Sequence, residues 1–310
     1  MQTILGSSGA IGTSLAKSLT AYTKEIRLVS RNPKKVNATD DLLSADLTNR
    51  EQVFFAVRGS EVVYLTVGLP YRAEAWERLW PALMQNVIDA CIEHRTRLVF
   101  FDNTYAIGEN HVRHITEDSP LSPTSRKGQA RAQVDRMLIE KIEKGRLLAV
   151  IARSPDFFGP IKVNSALMAM VYDNLAKGQK AMWLCNARVP HSVGYTPELA
   201  MATAKLGNTS SAFNQIWNLP TAPPLTGEEW VRLFAAELNA KPRVQVLPGW
   251  GIKLLGLFVP ILREMDEMKY QYDRPCFFDS AKYEQTFKYA PVSSGQAVRE
   301  TVEALKQAQP

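Results

Sequence analysis

Chemistry first shows at Gly6-Ser7-Ser8-Gly9-Ala10-Ile11-Gly12, which follows a short apolar run and leads into residues at helical spacing. A turn without side chains at Gly6 and Gly9 lets backbone N–H groups approach a pyrophosphate, Gly12 lets a helix pack closely on a strand, and a helix N-terminus favours negative charge. Other side chains that could do chemistry are more dispersed. His111 and His114 lie near Glu117 and Asp118 in a loop, but without a cysteine partner they read as solvated residues, so no metal is expected. His191 precedes a strand-like segment and reads as a structural histidine. Tyr270 and Tyr272 are two phenols in the second half of the chain, neither singled out by its surroundings.

The glycine run needs a strand before it and a helix after it, and the first half of the chain provides that alternation repeatedly. Strands are expected at 2–5, 25–29, 61–66, 97–101 and 147–152. Helical spacing falls at 11–20, 50–57, 73–94 and 127–144, with Asp46 or Thr48 as a cap for the second. Five strands and four crossovers make a doubly wound (Rossmann) parallel sheet, an α/β fold. After Pro155 the alternation weakens. Strand-like signals recur at 193–195 and 215–219, helices at 226–239 and 249–264, and this half is expected to form a smaller C-terminal α+β cap at the carboxyl ends of the sheet. The expected division is 1–155 for the nucleotide-binding domain and 156–310 for the substrate-binding cap, with later strands around 190–220 returning to the sheet. Trp76 and Trp80, one helical turn apart, read as the core face of the long helix at 73–94, where with Tyr71 they could also wall a pocket.

Composition excludes several classes. A chain of 310 residues, 45% hydrophobic and 22% charged, can bury one large core or two smaller ones. Its 37 basic and 31 acidic side chains give +6 with no long basic run, which argues against a nucleic-acid partner. Three cysteines, Cys91, Cys185 and Cys276, are an odd number in apolar or aromatic surroundings and read as free thiols of a reducing compartment. No secretory signal precedes Met1-Gln2-Thr3-Ile4-Leu5, so a cytoplasmic location is expected. The apolar stretch 250–262 is shorter than the ~20 residues of a membrane span and carries only Lys253 before Arg263. It reads as a core helix of the cap, and no membrane association is expected.

The Gly-x-x-Gly-x-x-Gly spacing resembles the extended short-chain dehydrogenase/reductases, the NAD(P)-dependent epimerase/dehydratase branch. Ala45-Asp46-Leu47 is similar to the Asp-Leu pair that meets the adenine in that family, and Thr66-Val67-Gly68 to the small-residue turn after the fourth strand. Ala152-Arg153-Ser154-Pro155 through Gly159-Pro160, His191 through Ala200, and Asn218-Leu219-Pro220 with Leu225-Thr226 extend the resemblance to about Asn239. The resemblance implies a nicotinamide cofactor held by Gly6, Ser7, Ser8, Gly9, Ala10, Ile11, Gly12, Asp46, Leu47, Thr66, Val67 and Gly68. At the end of the second strand, where an acid would hold the ribose hydroxyls of NAD, stand Ser30 and Arg31. A hydroxyl and a guanidinium suit a 2′-phosphate, so NADP is expected over NAD, with Lys34 and Lys35 as outer helpers.

Members of that family move a proton with a Tyr-x-x-x-Lys pair, the lysine tuning the tyrosine. Here the matching helix puts Lys127 at the tyrosine place and Arg131 at the lysine place, and a two-residue slide offers only Ser125 and Gln129. Asn103 takes the place of the family's serine, with Thr104 and Tyr105 following. Tyr105 or Thr104 is therefore expected as a relocated proton donor, with Arg131 as a fixed cation and Lys127 as a less apt acid. The implied function is an NADP-dependent oxidoreductase or epimerase-like enzyme on a small carbonyl, hydroxyl or sugar-type substrate. The alternatives are an NADP-binding sensor without turnover and a sugar-nucleotide epimerase or dehydratase; a homodimer is left open.

Overall fold

The structure, a computed structural model, describes residues 1–308. Along the chain the first elements are β1 (Gln2–Leu5), α1 (Ala10–Leu19), β2 (Ile26–Ser30), β3 (Asp41–Ser44), α2 (Arg50–Val57), β4 (Val62–Leu65), α3 (Ala73–Glu93), β5 (Arg97–Asn103), α4 (Arg126–Glu143) and β6 (Ala149–Ser154). There follow β7 (Asp156–Phe158), α5 (Asp173–Ala176), β8 (Ala181–Leu184), β9 (Pro190–His191), β10 (Val193–Tyr195), α6 (Thr196–Gly207) and β11 (Gln215–Asn218). The last are β12 (Leu225–Thr226), α7 (Gly227–Glu237), β13 (Val244–Leu247), α8 (Gly249–Leu255), α9 (Pro260–Asp266), α10 (Tyr270–Asp273), α11 (Ala281–Phe287) and α12 (Ser294–Gln307).

Two compact units emerge. The first comprises Met1–Ala106, Leu121–Ser154 and Pro197–Leu219. Its sheet has the order β11-β6-β5-β4-β1-β2-β3, every neighbouring pair parallel. Strands β1, β4 and β6 are buried along their whole length, and their apolar residues stand side by side rather than alternating, Ile4-Leu5 in β1, Val62-Val63-Tyr64-Leu65 in β4 and Ala149-Val150-Ile151-Ala152 in β6. Seven strands replace the expected five. One addition, β11, comes from the 215–219 signal; the other, β3, escaped because Asp41, Leu42 and Ser44 are exposed on an edge strand and give no core pattern. Helix α3 buries Trp76, Trp80, Leu83, Met84, Val87, Ile88 and Cys91 along one stripe. The cap of α2 is Asn49, whose side chain accepts from the Gln52 N–H. Asp46 and Thr48, the expected caps, instead bond each other.

The second unit comprises Ile107–Pro120, Pro155–Thr196 and the stretch from Pro220. It is built from two-stranded pairs, β7 with β10, β9 with β12 and β8 with β13, around a core of Phe158, Trp183, Tyr195, Trp230 and Phe234. The 193–195 segment thus pairs with β7 rather than with the large sheet. Helix α7 starts at a capping box, Thr226 accepting from the Glu229 N–H while the Glu229 carboxylate accepts from the Thr226 N–H. The single helix expected over 249–264 is two, because Pro260 has no N–H to continue a helix and sits at the first position of α9. It is not a core element either. Only Gly251 and Ile252 of α8 are buried, and no residue of α9 is. All three cysteines are free, Cys91 and Cys276 buried and Cys185 half-buried.

Candidate active site

The glycine turn lies at the carboxyl end of β1, clamped from two sides. Gly6 and Ser7 donate their N–H groups to the Val29 carbonyl at 2.9 and 3.1 Å. Thr66, just past β4, donates its hydroxyl to the Gly6 carbonyl at 3.2 Å. Gly6 has φ +100°, and a Cβ there would fall 2.5 Å from the Val67 nitrogen, so only glycine allows the approach. Gly12 is equally constrained, since a Cβ would lie 2.5 Å from the Gly6 oxygen. Gly9 differs: a Cβ would meet only the Gly6 oxygen, at an ordinary 3.7 Å. Gly9 also caps α1 without any side-chain hydrogen bond, so the cap residue offers the amides of that first turn no side-chain acceptor. Ala10 and Ile11 are buried and anchor the turn.

At the end of β2, the Ser30 hydroxyl lies 2.8 Å from that of Ser8, bringing the glycine turn and the second strand together. Arg31 follows, exposed and free of ion pairs among the described residues, its carbonyl held by the Ser44 hydroxyl at 2.9 Å. Lys35 is turned back onto the Ala38 carbonyl, and Lys34 is exposed. Asp46 holds the Thr48 N–H and hydroxyl on one carboxylate oxygen. These two bonds, against a small opposing effect of burial and with help from the Arg31 charge, keep its carboxyl below the usual range. Leu47 is buried, Val67 half-buried and Gly68 exposed.

The residues expected to move protons separate into two groups. Arg131 is buried, its Nε 3.0 Å from Asp102 and its second nitrogen on the same carboxylate oxygen. Its guanidinium stacks 4.3 Å from the Trp80 ring centroid and 4.7 Å from that of Phe100. Arg153 reaches the other oxygen of Asp102 at 3.4 Å and Asp135 at 3.2 Å, completing a buried network of two arginines and two aspartates. Burial, reinforced by the Asp102 charge, pushes the Asp135 carboxyl up to about 8.

The second group is Lys127, Tyr71 and Tyr105. Lys127 is completely buried, and its Nζ lies 4.7 Å from the centroid of the Tyr71 ring. The Tyr71 and Tyr105 hydroxyls are 3.4 Å apart. Trp76 stacks on Tyr105 at 5.7 Å and meets Tyr71 edge-on, while its indole N–H donates to the Pro70 carbonyl. Asn103 accepts the Tyr105 N–H at 3.0 Å and so shapes the turn in which Thr104, buried, and Tyr105, half-buried, sit. Gly128 lets α4 approach that turn, since a Cβ would come within 2.6 Å of the Tyr105 carbonyl. Tyr71 is the participant that sequence reasoning did not place with Tyr105; its signal was a phenol in the loop directly after Thr66-Val67-Gly68.

The remaining candidates belong to the second unit. His114 pairs with Asp279 at 2.8 Å and stacks on Phe277, and among the described residues no group of three His, Cys, Asp or Glu is placed to hold a metal. His191 is buried against Asp156 at 3.4 Å and stacked on Tyr272, which donates to Asp156 at 2.6 Å. Tyr270 is buried as well.

Residues 3–216 match the model of the NAD dependent epimerase/dehydratase family. The chain belongs to that family. No curated protein matches it. Among solved structures, it is similar to the dTDP-glucose 4,6-dehydratase of Streptomyces venezuelae, with TM-score 0.82 at 16% identity over 100% of this chain and 98% of the other. The UDP-glucose 4-epimerase of Thermus thermophilus gives 0.77 at 17% identity over 99% and 100%. The UDP-N-acetylglucosamine 4-epimerase of Bacillus cereus gives 0.75 at 14% identity over 100% and 97%. At such identities these likenesses concern the fold alone.

Proposed function

We propose that this epimerase/dehydratase family member is an NADP-dependent oxidoreductase or epimerase-like enzyme for a small carbonyl, hydroxyl or sugar-type substrate. The observation that carries the reading is the buried Lys127 on the Tyr71 ring, with the Tyr71 hydroxyl beside that of Tyr105. This cluster shares a unit with the glycine turn. The turn fits a dinucleotide: at Gly9 the chain's own packing leaves room for a side chain, whereas a phosphate lying on the backbone would not. In this reading Gly6 through Gly12 hold the pyrophosphate, Ser8, Ser30 and Arg31 the ribose and its 2′-phosphate, Asp46 and Leu47 the adenine, and Thr66, Val67 and Gly68 the neighbouring wall.

When bound, the cofactor accepts and returns a hydride. Tyr105 gives and takes the substrate proton, a role worth about 10²–10⁴-fold in rate. Tyr71 extends the path through its hydroxyl, and the Lys127 charge on the Tyr71 ring favours an ionised phenol. Asn103 positions Tyr105 through its N–H, with Thr104 as the adjacent hydroxyl. Arg131 takes no part in proton transfer, being committed to Asp102. The structural neighbours whose names specify dTDP-glucose and UDP-glucose support the sugar-nucleotide version of this reading.

That same commitment of Arg131 favours a second reading, an NADP-binding sensor without turnover, since the usual lysine place holds a core ion pair. A screen of carbonyl compounds and nucleotide sugars for NADPH consumption distinguishes the two. Turnover that Tyr105→Phe abolishes supports the enzyme; tight NADPH binding with no conversion of any substrate supports the sensor.

A further inference from the structure

The two short helices α8 and α9 form a corner whose inner side is packed and whose outer side is bare. Ile252 is fully buried with Leu184 and Tyr272, and Leu262 and Met265 pack on the same cluster. The corner is tight, since a Cβ on Gly256 would lie 3.0 Å from the Arg263 backbone. From this anchored base Trp250, Leu254, Leu257 and Phe258 project at i, i+4, i+7 and i+8. Trp250 and Leu257 are each 74% exposed and Phe258 81%. Ile261, at the start of α9, is also exposed. Apolar side chains this exposed, gathered between Trp250 and Ile261 on an anchored corner, mark an interaction surface.

Charge indicates the partner. From Pro248 to Arg263 there is no acidic residue, and the two charges, Lys253 and Arg263, are exposed cations without an ion pair among the described residues. Past Arg263 come three half-buried acids, Glu264, Asp266 and Glu267, of which Asp266 pairs with Lys269 at 2.8 Å. Exposed leucine, phenylalanine and tryptophan side chains with the cations Lys253 and Arg263 among them match an anionic bilayer surface, the apolar groups entering the acyl boundary and the cations meeting headgroup phosphates. Each helix has seven residues, and no helix among the described residues is long and apolar enough to cross a membrane, so contact is from one side. We infer that the α8–α9 corner docks this protein peripherally on an anionic lipid bilayer.

The test is flotation of the full chain with vesicles of phosphatidylcholine alone or mixed with phosphatidylglycerol. The wild type is expected to float with the anionic vesicles and to dissociate as salt rises. The double variant Leu257→Gln with Phe258→Gln, at positions that carry little of the fold, is expected to lose at least about tenfold in partitioning with an unchanged thermal melt. Lys253→Gln with Arg263→Gln should cost roughly thirtyfold on anionic vesicles. Absence of wild-type flotation, or equal flotation of wild type and the apolar variant, overturns the proposal. So does a wild-type oligomer that the apolar variant disperses without any vesicle binding, which would assign the patch to a second copy of this chain.

Discussion

The Lys127 Nζ lies 4.7 Å from the centroid of the Tyr71 ring, tying the first turn of α4 to the loop after β4. A completely buried ammonium is costly unless something in the interior repays it, and an aromatic face beside two phenols is such a partner. If this charge tunes the phenols, Lys127→Met lowers kcat by about 10²-fold or more while nucleotide affinity holds, and Lys127→Arg restores part of it. The rate's pH profile carries the decisive signal: its phenol limb moves to higher pH in Lys127→Met. A lower rate with an unmoved profile would make the lysine merely structural.

Two glycines of the turn should respond in opposite ways. Gly6→Ala strains a backbone at φ +100° and drives a Cβ into Val67, costing about 1–3 kcal/mol or more in chemical denaturation. Gly9→Ala has room and should keep wild-type stability while weakening nucleotide binding about tenfold or more. Equal nucleotide affinity in Gly9→Ala and wild type would contradict the placement of the pyrophosphate.

The pair of buried His191 and half-buried Asp156 sets a pH window for stability. Burial alone would lower the imidazolium, but Asp156 and Cys276 outweigh it and raise His191 from 6.5 to about 10. Burial likewise opposes ionisation of Asp156, and the His191 imidazolium at 3.4 Å with the hydrogen bond from Tyr272 overcomes it, holding the carboxyl below its ordinary 3.8. A raised base stabilises fully below its unfolded pKa and ceases to do so as pH passes its folded one; a lowered acid stabilises above its unfolded pKa and ceases as pH falls through its folded one. The pair therefore contributes most between about pH 4 and 6.5 and fades toward pH 10. His191→Gln should cost about 1–3 kcal/mol inside that interval, with the difference from wild type shrinking at both extremes. A pH-independent difference in denaturant midpoint would contradict the ion pair.

Arg131 should behave as a core residue. Arg131→Met strands Asp102 with Arg153 alone and is expected to cost about 3–5 kcal/mol, while kcat per folded molecule stays unchanged. Denaturation curves and active-site titration separate the two quantities. Loss of kcat in fully folded Arg131→Met would restore a catalytic cation at that position.

Most of the sheet was legible because its buried parallel strands set apolar residues side by side, as in Val62-Val63-Tyr64-Leu65 of β4, and the glycine turn because its spacing answers steric demands that Gly6 and Gly12 meet. Edge strand β3 was not legible, since an exposed strand has no core pattern to reveal it. Nor was the break before α9 read correctly: apolar residues at helical spacing continued through Pro260, and the exposure of Leu257 and Phe258 runs against what their hydrophobicity suggests. In the site, Tyr105 stood out by its place after β5, but its partner Tyr71 did not, because only folding brings the two hydroxyls together. Arg131 was visible by register, whereas the carboxylate that holds it, Asp102, is revealed only by the packing of α4 on β5.

The most direct measurement is calorimetric titration of the protein with NADPH and with NADH, repeated on Arg31→Ala. NADPH is expected to bind tightly, NADH about tenfold or more weakly, and Arg31→Ala to remove the difference by losing affinity for NADPH alone. If neither nucleotide binds, the reading of the Gly6–Gly12 turn as a cofactor site is contradicted, and the proposed chemistry at Tyr105 falls with it.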